Sequence, residues 1–164
     1  MNKILDEELS LQVSVRIKSN GKKPFDNAYK AVLSTEGASY VQGFVVRHQK
    51  PYHPIESAWL ELTDTSGEKS GIRIVDPNFK HLTKSTKDIW YFSAQNLTVK
   101  QLKAIIEESQ EDYPEDDPLP IYGDAPYEYY GDVMLGGKEY LVAYQKAVEK
   151  CQELSQLNMG NNGK

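Results

Sequence analysis

Apolar and polar residues alternate from Leu11 to Lys18, with Leu11, Val13, Val15 and Ile17 set against Gln12, Ser14, Arg16 and Lys18. A period of two predicts a half-buried β-strand, and Asn20-Gly21 marks a turn after it. The period then lengthens. Asp26 stands as an N-cap for a short helix to about Thr35, with Ala28, Val32 and Tyr29, Leu33 at helical spacing and Gly37 at its exit. Tyr40–Val46 is rich in β-formers and reads as a strand. Ile55–Thr63 and Gly71–Val75 read as a hairpin around a polar loop carrying Gly67, ended by Asp76-Pro77. Ile89–Phe92 is a further short strand. Thr98-x-x-Gln101 is a capping box that opens a helix at Val99, with Leu102, Ile105 and Ile106 on its apolar face.

From Glu111 to about Gly137 the chain is rich in acid, proline, glycine and tyrosine, which predicts a long irregular loop. A last helix runs from about Lys138 to Leu157, with Leu141, Tyr144, Val148 and Cys151 as its stripe. Asn158–Lys164 reads as a frayed polar tail. The expected fold is α+β: one domain over 1–157, with an N-terminal helix packed on an antiparallel sheet and C-terminal helices flanking it.

Composition narrows the functional classes. The 164 residues, 39% hydrophobic, suit one globular domain, and no apolar run approaches the ~20 residues of a membrane span. Acids interrupt the N-terminal stretch where a secretory signal needs apolar residues, so a cytoplasmic location is expected. Cys151 is the one cysteine, which excludes an internal disulfide. The net charge of −5 is uneven: residues 107–132 hold ten acids and no Lys or Arg, whereas residues 1–106 carry a net of +4. Those basic residues are scattered, which argues against a nucleic-acid surface.

The chemistry-bearing residues centre on one hairpin. A hairpin symmetric about its turn would set Ser57 opposite Asp76, with Cβ atoms about 4.5–5.5 Å apart. Around them, Pro54-Ile55-Glu56-Ser57-Ala58-Trp59 and Val75-Asp76-Pro77 resemble the "Pro-Ile-Glu-His-Ala-Trp" and "Val-Ile-Asp-Pro" strands of the transglutaminase-like, papain-type superfamily. Upstream, Pro24-Phe25-Asp26-Asn27-Ala28 and Tyr40-Val41-Gln42-Gly43 resemble that group's "Cys-Phe-x-Asn-Ala" helix start and "Tyr-Val-x-Gly" strand. The resemblance spans roughly residues 24–92. It implies a papain-type fold with a Cys–His–Asp triad, in which the nucleophile maps to Pro24, the base to Ser57 and the orienting acid to Asp76. Proline has no nucleophile and serine cannot act as a base near neutral pH, so the proton shuttle of acyl transfer is missing.

No other residue fills the gap. Cys151 on an apolar stripe reads as a core thiol. His53 lies four strand residues from Ser57, about 13 Å away. His48 and His81 lack neighbours at ligand spacing, so no metal or other cofactor is expected. Two surfaces remain for a ligand or partner. One is the former cleft beside Glu56, Ser57, Trp59 and Asp76, although Trp59 reads more readily as core and Asp76 equally as a turn acid. The other is the acidic segment with Tyr122, Tyr127, Tyr129 and Tyr130, which suits a basic protein or peptide. The expected function is a non-catalytic binding or regulatory module. The alternatives are a structural subunit without a ligand and a hydrolase of another class using Asp76 with a tyrosine or Glu56.

Overall fold

A computed structural model describes residues 3–64, 71–119 and 137–162. Its centre is a five-stranded sheet of β1 (Lys3–Leu5), β2 (Ser39–Arg47), β3 (Ile55–Asp64), β4 (Gly71–Val75) and β5 (Ile89–Leu97), in the order β1-β4-β3-β2-β5. Pairing is antiparallel except for β1 alongside β4. The helices are α1 (Glu7–Arg16), α2 (Pro24–Leu33), α3 (Phe79–Leu82), α4 (Val99–Asp112) and α5 (Gly137–Asn162). The α+β class therefore holds, as helices flanking a curled, mainly antiparallel sheet.

Alternation along the strands divides the sheet into two faces. Tyr40, Phe44, Val46, Ala58, Leu60 and Val75 point to one face, where α1, α2 and α4 cover one end and α5 the other. Val41, Val45, Trp59, Ile74, Ile89 and Tyr91 point to the other face, which Leu5 and the Phe79 and Leu82 side chains of α3 help to fill. This second face is concave. Lys3 on one edge strand reaches Glu61 on β3 at 3.0 Å and Ser93 on the opposite edge strand at 3.2 Å. A flat five-stranded sheet would hold its edges about 19 Å apart at ~4.8 Å per strand.

Several sequence expectations are corrected. The stretch Leu11–Ile17 is not a strand but the later part of α1 with its C-cap, Ile17. Asp6 caps that helix, its carboxylate accepting from Leu9 N at 3.0 Å, and Glu7 and Glu8 suit the first turn. Its inner stripe is Ser10, Val13, Ser14 and Ile17, whereas Leu11 and Val15 are 39% and 70% exposed. Two buried serines hide the helical period from a reading of hydrophobicity alone. Asp26 is not the N-cap of α2 but sits in its first turn, because Pro24 takes the first helical position and Lys23 precedes it. The strand expected at Ile89–Phe92 continues to Leu97, and α5 runs through Asn158–Asn162, where a frayed tail was expected. The inner seam of α5 is Tyr140, Ala143, Ala147, Cys151 and Leu154, rotated from the expected stripe so that alanines bring the helix close to the sheet.

The hairpin register is also corrected. β3 and β4 pair as Leu60↔Val75 through Asp64↔Gly71. Continued by one residue, that register sets Asp76 beside Trp59 rather than opposite Ser57. Ser57 instead pairs across to Gly43 on β2. The capping box at Thr98 and Gln101 forms as expected, with both reciprocal bonds present. Glu111 and Asp112 belong to α4, and Tyr122, Tyr127, Tyr129 and Tyr130 lie outside the described residues.

Candidate functional site

Asp76 follows the last residue of β4 and is almost sealed, at 1% exposure. Its position is set from several sides. Its backbone N–H donates to Ser10 Oγ at 2.9 Å, so the serine hidden in α1 anchors the strand end. Its Oδ1 accepts from Asn78 N at 2.8 Å, which makes Asp76-Pro77-Asn78 an Asx turn. Its Oδ2 accepts from Tyr91 Oη at 2.8 Å. Burial pushes the carboxyl up to about 6, against the opposing pull of the Asn78 and Tyr91 donors. Burial first, and then the Asp76 charge, raise the Tyr91 phenol well above its ordinary value, so it stays a hydrogen-bond donor.

Asn78 ties this acid to the start of α2. Its Nδ2 donates to Pro24 O and to Ala58 O, each at 3.1 Å. Its Oδ1 accepts from Asn27 Nδ2 at 2.8 Å, and Asn27 in turn binds the backbone of Asn20 in the preceding turn. Pro24 and Asp76 are thus joined through one asparagine. Sequence reasoning missed Asn78 and Tyr91, although Asp-Pro-Asn after a strand is a turn signal that could have pointed to the first.

Ser57 does not join them in a triad-like arrangement. It shares its parity with Trp59, whereas α2 packs on the Ala58 and Leu60 face. Its side chain therefore alternates to the face opposite α2. Ser57 and Trp59 are 2% and 0% exposed, so both belong to the interior rather than to an open cleft wall. Trp59 meets Tyr91 edge to face at 5.0 Å between ring centres. Among the described residues its buried Nε1 has no acceptor.

Glu56 points to the helical face, next to a second buried polar group. There Tyr40 Oη donates to Gln42 Oε1 at 3.0 Å and Gln42 Nε2 donates to Tyr140 Oη. Burial, with Glu56 and Asp26 nearby, raises the Tyr40 phenol above its ordinary value. Gln42 thus holds α5 to the sheet by hydrogen bonding at a point where an apolar residue would only pack.

Two surface cavities lie elsewhere. A groove of about 440 Å³ runs between β5 and α5, lined by Tyr91–Ala94 and by Lys138, Glu139, Val142, Ala143 and Lys146. A second, of about 360 Å³, is lined by Tyr52, His53 and Pro54 and by Val148 and Cys151 of α5. That cysteine is buried and desolvation raises its thiol, which disfavours the thiolate. The ring of His53 donates from Nδ1 to Pro51 O at 3.0 Å. Neither cavity is lined by Pro24, Ser57 or Asp76. No group of three or more His, Cys, Asp or Glu side chains suited to a metal occurs among the described residues. No helix among them is long and apolar enough to cross a membrane.

No protein-family model, no curated protein and no solved structure matches this chain.

Proposed function

We propose that this chain is a non-catalytic binding module, with the resemblance to transglutaminase-like, papain-type proteins marking a scaffold without its nucleophile and base. The observation that carries this reading is the state of Asp76. Both of its carboxylate oxygens are occupied by internal donors and the group is sealed from solvent. A carboxylate spent on Asn78 and Tyr91 serves the junction of β4, β5 and α2 rather than a substrate. The Asp76–Tyr91 pair also offers no hydrolytic base to solvent, since the carboxylate is sealed and the phenol is held protonated.

Among the described residues, one surface open to a partner is the β5–α5 groove, and its size falls within the range of small-ligand sites. Tyr91 links the two places: the residue lines the groove on β5, and its side chain reaches the other face of the sheet to hold Asp76. The test combines binding and turnover. The ¹⁵N-labelled chain is titrated with pooled peptides while ester, amide and peptide substrates are followed by mass spectrometry. The expected result is amide shifts confined to Tyr91–Ala94 and the facing turns of α5, with no substrate consumed. Turnover that disappears in Asp76→Asn and survives thiol alkylation would instead make the chain a hydrolase.

A further inference from the structure

We propose that the β5–α5 groove takes an extended peptide as a sixth strand, added to the free edge of β5 and carrying acidic residues at alternate positions. This rests on the reading of the chain as a binding module and names the partner class. Among the described residues β5 ends the sheet and pairs with β2 alone. Over Tyr91–Ala94 its outer edge therefore presents backbone N–H and C=O groups without a strand partner among those residues, which is what a peptide pairs with in strand addition. The groove follows that edge over Tyr91–Ala94. At Ala94 the β2–β5 register slips, Gly43 pairing with Ser93 and Gln42 with Gln95. Such a bulge sharpens the local twist and turns the strand edge.

The charge and spacing of the opposite wall select the occupant. Lys138, Val142 and Lys146 follow one another at four-residue intervals along α5, and all three line the groove. Neither lysine forms an ion pair among the described residues, while Glu139 is the one acid on that wall. The next residue in the row, Lys150, lies 4.4 Å over the Trp90 ring and 3.5 Å from Glu153. Four helical residues rise about 6 Å, and two strand residues advance about 6.8 Å. An added strand thus presents every second side chain to successive members of the row. Acid, apolar residue and acid at positions i, i+2 and i+4 meet Lys138, Val142 and Lys146 in turn.

The probe is a blocked nine-residue peptide with glutamates at its third and seventh positions and a valine at its fifth, labelled for fluorescence anisotropy against the full chain. Expected are saturable binding weakened by salt, protection of the Tyr91–Ala94 amides, and at least a tenfold loss of affinity in Lys138→Glu/Lys146→Glu. Both lysines are exposed, so the variant should fold; Lys138→Gln/Lys146→Gln provides a milder check. N-methylation of alternate peptide amides, which removes donors but keeps charge, should abolish binding. The inference is overturned if the charge-reversed chain or the methylated peptide binds equally well, or if the peptide stays unbound. Sedimentation showing β5 paired with a second copy of the chain overturns it too. Those results leave the non-catalytic reading standing, whereas a peptide recovered cut or modified overturns that reading itself.

Discussion

Asp76 makes stability depend on pH in the direction opposite to that of most carboxylates. Burial holds the folded carboxyl at about 6, against its ordinary 3.8. Below about pH 4 the group is protonated in both states and adds no pH dependence. Between about 4 and 6 the folded chain keeps the proton that the unfolded chain releases, so rising pH disfavours the fold. Above about 6 the loss is complete, and a difference of roughly two units corresponds to ~3 kcal/mol. Asp76→Asn keeps the shape and removes the titration. Urea unfolding of both chains at pH 4 and 7.5, followed by tryptophan fluorescence, isolates the group from every other carboxylate. Native minus variant stability should be ~3 kcal/mol more favourable at pH 4 than at pH 7.5. For a chain this size that corresponds to a relative Tm shift of about 6–12 °C. A difference constant within ~0.5 kcal/mol would refute the assignment. A difference of opposite sign would mean that the Asn78 and Tyr91 donors outweigh burial and that Asp76 is held as a stable anion.

Other perturbations probe the frame around this acid. A Cβ on Gly43 would lie 2.2 Å from Phe92 O and 3.0 Å from Ala94 N, both backbone atoms of the bulge. Gly43→Ala should therefore cost at least ~3 kcal/mol in denaturant midpoint analysis, and a loss under ~1 kcal/mol would show that the bulge gives way. Asn78→Ala removes donors from Pro24 O and Ala58 O and an acceptor from Asn27. It should destabilise by ~2–4 kcal/mol, measured by the same unfolding assay, since buried partners are left unsatisfied. Cys151 should react with a thiol reagent at neutral pH far more slowly in the folded chain than in urea. Equal rates would contradict its burial and raised thiol.

Much of the sheet was legible because its strands announce themselves locally. β2 and β4 are rich in β-branched and aromatic residues, and α4 carries a capping box whose two bonds are present. Leu11–Ile17 misled because the buried stripe of its helix includes Ser10, bonded to Asp6 O and Asp76 N, and Ser14, bonded to Ser19, all partners outside the period being read. The candidate site was legible in its members but not in their arrangement. Asp76, Trp59 and Glu56 were singled out by type and order. Their roles depend on a register two residues from the symmetric one and on which face each side chain takes.

The sequence by itself determined the α+β class, the strand and helix types over most of the chain, and the absence of a cysteine at position 24 and a histidine at position 57. Those are properties of local periodicity and of residue chemistry, which need no neighbours. Only the tertiary structure decided that Ser57 and α2 lie on opposite faces, that Tyr91 from β5 holds Asp76, and that Tyr91–Ala94 of β5 share a groove with Lys138 and Lys146 of α5. The physical reason is that these contacts join residues far apart in sequence. Their geometry follows from the curl of the sheet and the order of its strands, which no short segment encodes alone.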